Sequence, residues 1–118
     1  MKDLAPQVFR QRLLMEGLYS VDVTRASLAS YLTGLAAHLS LKAYAEPTIH
    51  SPSGIGSEHN QGFDAFLPLI DSGIAAYVWS SAQFFSVVLY TCKGFDDSAA
   101  VAFTRAFFSA SAIESMRF

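Results

Sequence analysis

Cysteine is almost missing from these 118 residues. Cys92 stands alone, so no internal disulfide can form and a reducing cytoplasm is the expected compartment. Cationic side chains are few as well. Eight Lys and Arg stand against ten Asp and Glu, a formal net charge of −2. Arg10, Arg12, Arg25, Lys42, Lys93, Arg105 and Arg117 are scattered rather than grouped. Neutralising a run of phosphates takes a basic stripe, so no nucleic-acid partner is expected. No apolar run reaches the roughly 20 residues that cross a bilayer. Residues 1–11 have no apolar core followed by a small-residue cleavage site. Neither a membrane segment nor a secretory signal is therefore expected. The glycine patterns that cradle dinucleotides or phosphates are missing, as is a Gly-x-Ser-x-Gly elbow.

What the chain does have is apolar surface. Hydrophobic residues make up 52%, charged residues only 15%, and there are ten Phe and five Tyr. A chain of this length is one domain and buries a limited fraction of its surface. The surplus suits a subunit interface, most simply that of a homodimer, otherwise another homo-oligomer.

Residues 1–12 read as a flexible N-terminal arm, and residues 13–118 as the single domain. Residues 13–22 (LLMEGLYSVD) pattern as a strand. Thr24 then caps a helix whose stripe is Leu28, Tyr31, Leu32, Leu35 and Leu39, with an end expected near Tyr44 ahead of Pro47. Residues 46–62 form one long irregular stretch, of a length that is often functional. Strands follow at residues 63–70, 74–79 and 84–92, with a hairpin turn at residues 80–83. Asp96, Asp97 or Ser98 caps a second helix with the stripe Val101/Ala102, Phe103, Ala106, Phe107, Ala110 and Ile113. The order β-α-β-β-β-α predicts an α+β two-layer sandwich, an antiparallel sheet with two helices on one face. The other face is left to solvent, to the long loop or to a second subunit.

Residues 71–93 (DSGIAAYVWSSAQFFSVVLYTCK) resemble the core of bacterial S-adenosylmethionine decarboxylases, where the pattern is approximately Glu-Ser-His-Ile-Ser-Ile-His-Thr-Trp-Pro-Glu, a strand, then Thr-Cys-Gly. Asp71 and Ser72 fall on Glu-Ser; Ile74, Trp79, Thr91 and Cys92 match directly, and the spacing from Trp79 to Thr91-Cys92 needs no gap. His50-Ser-Pro-Ser-Gly54 is similar to the segment ahead of the active-site strand. The resemblance covers most of the chain from Leu13 onward and implies the same fold. Its departures matter more. The serine that becomes the family's pyruvoyl group falls on Ala75, the processing histidine on Tyr77, another histidine on Gly73, and Pro-Glu on Ser80-Ser81. A methyl group can neither attack a peptide carbonyl nor eliminate, so no pyruvoyl cofactor is expected and decarboxylation by that route is closed. Ser72 sits three residues away, on the other face of the strand.

The resemblance implies a small-molecule ligand, S-adenosylmethionine or a related amino-acid compound. Cleavage without pyruvoyl chemistry, of lyase or hydrolase type, is one outcome it leaves open. The alternative is a catalytically silent regulatory or scaffold subunit of a polyamine-pathway decarboxylase. Cys92 falls where the family keeps its proton-donating thiol, though a lone cysteine also packs as a small apolar residue; Lys93, next in sequence, is expected on the opposite face. Asp71 can attract a cationic ligand or simply close a turn with Ser72. Glu16, inside an apolar strand, points to a site or an interface, because an ionised group there is costly. Tyr77 and Trp79 are stacking candidates or packing residues; Phe63 and Phe66 share that ambiguity. In the long stretch, Glu58 or His59 can serve as a general base, or the stretch is a solvated loop. His50 with His59 fits no compact metal motif, so no metal is expected. His38 carries no expected chemistry.

Overall fold

The computed structural model describes residues 1–51 and 61–118. Eight elements run along the chain: β1 (Gln11–Leu18), α1 (Arg25–His38), β2 (Thr48–His50), β3 (Gly62–Leu69), β4 (Ser72–Trp79), β5 (Phe84–Thr91), α2 (Asp97–Phe108) and β6 (Ala112–Arg117). The strands form one antiparallel sheet in the order β2-β3-β4-β5-β1-β6. Both helices cover one face, as expected, and pack against each other. Two strands go beyond the expected order. β2 lies inside the stretch read as irregular, and β6 follows α2 along β1. β6 was invisible to periodicity because Ile113 is its only residue that is not exposed. Its place comes from backbone pairing with β1.

Thr24 caps α1: its Oγ1 accepts the Ser27 N–H at 3.1 Å, and Ser27 Oγ accepts the Thr24 N–H at 2.9 Å, a reciprocal cap that satisfies two backbone donors. The predicted stripe is the buried one; Leu28, Tyr31, Leu32, Leu35 and Leu39 all lie in the core. The helix ends six residues before Tyr44, however. Ser40 takes a left-handed φ of 58°, and the Leu41 N–H bonds back to the Ala36 carbonyl at 2.8 Å while the Ser40 N–H reaches that of Ala37. This closure usually announces itself with glycine; serine hides it.

α2 is capped by Asp96, whose carboxylate accepts the N–H groups of Ser98 and Ala99. Its inward face is rotated from the predicted stripe. Ala100, Thr104 and Phe108 are buried, whereas Ala102 and Ala106 are exposed. The polar Thr104 fits inside because its hydroxyl bonds the buried Tyr31 hydroxyl at 2.8 Å. Phe108 stacks on Phe85 of β5 with ring centroids 4.0 Å apart, and Gly17 of β1 makes room for this stack. A Cβ there would lie 2.7 Å from the Phe85 ring and 2.4 Å from the Ala112 carbonyl oxygen. Leu13, Met15, Val87, Leu89, Ile74, Ala76 and Leu67 complete the sheet side of the core. No helix among the described residues is long and apolar enough to cross a membrane.

Candidate functional site

Alternation along paired strands sends every second side chain away from the helices, and the registers line these outward residues into rows. One row is polar: Glu114, Glu16, Ser86, Tyr77, Asp64 and His50 are successive neighbours across the sheet. The next row is apolar: Met116, Leu14, Val88, Ala75 and Phe66. Phe66, Tyr77 and Tyr90 remain 39–45% exposed, a large aromatic area for a face that no helix among the described residues covers.

At one end of this face the apolar row opens into a hollow of about 430 Å³, lined by Phe66, Asp71, Ser72, Gly73, Ala75, Val88 and Tyr90. Its walls are two aromatic rings from β3 and β5 and its floor is the small-residue part of β4. A second hollow, of about 470 Å³, adjoins it around the sheet end, where Asp71 and Ser72 border both. Ser40, Lys42, Cys92 and Lys93 lie on its rim.

Hydrogen bonds hold the backbone of this corner. Asp71 occupies the β3–β4 turn with φ 54°, a conformation that Asp tolerates better than most side chains. Ser72 Oγ accepts the Cys92 N–H at 3.0 Å, tying the start of β4 to the end of β5. Thr91, fully buried, donates its hydroxyl to the Lys93 carbonyl at 2.7 Å. The Lys93 ammonium donates to the Ser40 carbonyl at 3.0 Å. The left-handed Ser40 that ends α1 thus presents an acceptor to the hollow.

Three of the sequence-predicted residues, Asp71, Ser72 and Cys92, therefore meet at one place. Tyr77 adjoins it: its own hollow, with His50 and Asp64, shares Phe66 and Ala75 with the aromatic one. Glu16 lies elsewhere, toward the β6 edge, where its carboxylate accepts the Ser86 hydroxyl at 2.7 Å and Glu114 stands directly across from it. Trp79 is at the far end of β4, packed on Phe84 with centroids 5.2 Å apart, and its carbonyl accepts the Tyr19 hydroxyl. Glu58 and His59 fall outside the described residues. Lys93 departs from expectation. It borders the same hollow as Cys92 rather than the opposite side, because β5 stops at Thr91 and strand alternation stops with it. Tyr90, Lys42 and Ser40 were not anticipated. Counting outward from the buried Leu89 would have placed Tyr90 on the open face; nothing local brings Lys42 there. Among the described residues, no group of three or more His, Cys, Asp or Glu is arranged to hold a metal ion.

No protein-family model matches the chain, and no curated protein is found as a relative. Among solved structures, the chain is similar to the adenosylmethionine decarboxylase from Aquifex aeolicus VF5. The TM-score is 0.71 over 94% of this chain and 89% of that one, with 18% of residues identical. A likeness at that identity establishes the fold, an α+β sandwich of the adenosylmethionine decarboxylase type.

Proposed function

We propose that this protein is a homologue of S-adenosylmethionine decarboxylases that does not process itself and that binds S-adenosylmethionine or a related amino-acid ligand at the Asp71–Ser72 corner of the open sheet face. The observation that carries this reading is the pair of adjoining hollows. One is aromatic, walled by Phe66 and Tyr90; the other is polar, and a carboxylate stands where they join. Adenosyl sulfonium compounds have a matching division: a flat base, a positive sulfur beside it and a charged amino-acid head. Aromatic faces attract such cations, and so does Asp71.

The residues present do not fit a pyruvoyl group. Ala75 contributes a methyl group to the floor of the aromatic hollow, and the nearby Ser72 hydroxyl is already engaged by the Cys92 N–H. If the bound sulfonium is cleaved, its electrophilic carbons and acidic neighbouring protons would suffice with a base held close by, a lyase or hydrolase reaction. Glu58 and His59 are the proposed bases.

The outward-facing apolar row, with Phe66 and Met116 exposed and Leu14, Ala75 and Val88 half-buried, supports association through this face. The leading reading is a homodimer. The second reading is a silent subunit that pairs with a polyamine-pathway decarboxylase, and the same row supports it. The deciding experiment combines intact-mass analysis with ligand-induced melting shifts. A single species of 12.8 kDa stabilised by S-adenosylmethionine is expected; ligand at a hundredfold excess over Kd stabilises by about 2.7 kcal/mol. Two fragments, the later one blocked at its front end, would overturn the reading.

A further inference from the structure

Lys42 and Lys93 reach the polar hollow from two separate segments, and each segment is fixed by its backbone. The Lys42 carbonyl accepts the Ile70 N–H at 3.1 Å, and Ala43 pairs with Leu69 beside it. The Lys93 carbonyl is held by Thr91 and its ammonium by Ser40. Asp71 lines the same hollow, supplies the opposite charge and also borders the aromatic hollow. Two cations and a carboxylate around about 470 Å³ present the charge pattern complementary to a zwitterion.

We infer that the polar hollow holds the head of a free α-amino acid, its carboxylate against Lys42 and Lys93 and its ammonium toward Asp71, with the ligand's flat tail between Phe66 and Tyr90. This rests on the ligand reading proposed above and assigns each half of that ligand its place. Charge-assisted hydrogen bonds are the stronger kind, and complementary charges discriminate between partners more than they add raw affinity. The site is therefore a carboxylate reader, selecting the intact amino acid over the amine left after loss of CO₂. The arrangement also works against decarboxylation. Loss of CO₂ withdraws the negative charge from the carboxylate as the bond breaks, so cations that hold that carboxylate stabilise the ground state more than the transition state. Chemistry at such a site falls on another part of the ligand, or the bound ligand acts as a signal.

The test is calorimetric titration of the full chain with S-adenosylmethionine, decarboxylated S-adenosylmethionine and 5′-methylthioadenosine, repeated on the Lys42→Gln/Lys93→Gln double variant. Both lysines are exposed, so the variant should keep its melting temperature. The wild-type protein is expected to bind the decarboxylated compound at least about tenfold more weakly than the intact amino acid, a difference of about 1.4 kcal/mol. In the double variant that ratio should collapse toward one, through weaker binding of the amino acid alone. Equal wild-type affinity for the amine and the amino acid overturns the inference and leaves adenosyl binding standing. Binding of none of the three compounds overturns both.

Discussion

The Phe66 ring lies across Gly73 so closely that a Cβ on the glycine would come within 2.6 Å of two ring carbons. The contact joins β3 to β4 diagonally and sets one wall of the aromatic hollow. The absence of a side chain at Gly73 is what lets the ring settle. Gly73→Ala should push Phe66 outward, cost about 1–3 kcal/mol from overpacking, and weaken adenosyl-ligand binding. Phe66→Leu in the same background should recover stability without recovering affinity. Urea denaturation and calorimetry on the single and double variants check both; unchanged affinity in Gly73→Ala would remove Phe66 from the site.

On the reading proposed above, a hydroxyl at position 75 should not by itself bring about self-processing. Ala75→Ser puts an alcohol on β4, but on the resemblance Tyr77 and Gly73 fall where that family has histidines. Intact mass of the purified variant should show one uncleaved chain after prolonged incubation. Cleavage at residue 75 would mean that the remaining machinery is already assembled.

The Glu16–Glu114 pair places two carboxylates directly across a strand pair, which is unfavourable for like charges. Glu114→Lys should therefore raise stability by roughly 0.2–1 kcal/mol, with the gain shrinking at high salt. Chemical denaturation at two ionic strengths measures it. No gain at low salt would mean that a partner already offsets the repulsion.

Burial holds the Tyr31 phenol far above its ordinary value, with the Thr104 hydrogen bond opposing only in part. Burial also raises Tyr19. Below the ordinary phenol pKa of about 10 both states are neutral and the full stability is present. Above it the unfolded chain ionises first, so stability falls as pH rises toward the folded value, by up to about 1.4 kcal/mol per pH unit for Tyr31. Tyr31→Phe should lose about 1–3 kcal/mol at neutral pH, because the buried Thr104 hydroxyl loses its partner. It should also show a shallower alkaline limb. Denaturation midpoints measured from neutral pH to beyond 10 distinguish the two effects.

Val88 sits near the middle of the apolar row. If the open face joins two copies, the wild-type chain sediments at twice 12.8 kDa and Val88→Glu at the single-chain mass, with its helix content unchanged. A wild-type monomer at high concentration would end the homodimer reading.

Much of the fold was legible locally. The α1 stripe, the Thr24 cap and the 80–83 turn are short-range patterns, and each is where the residues placed it; the second cap, left open among Asp96, Asp97 and Ser98, is Asp96. The errors came where local signals were absent or misleading. Ser40 ends α1 without the usual glycine, β6 buries almost nothing, and Thr104 takes an inward position because its partner is a tyrosine 73 residues away. Within the site, Asp71, Ser72 and Cys92 were reached through the resemblance. Tyr90, Lys42 and Ser40 were not: Ser40 and Lys42 lie on the segment that follows α1 and Tyr90 near the end of β5, and no sequence pattern joins those two segments.

By itself the chain determined both helices and four of the strands, the apolar surplus and the methyl group at position 75, because these depend on side chains and on neighbours a few residues away. Tertiary structure alone decided that Phe66 would lie on Gly73 and that two lysines would border one hollow with Asp71. Those outcomes depend on strand order and register. They bring together groups that the sequence keeps tens of residues apart, and only the folded sheet supplies that proximity.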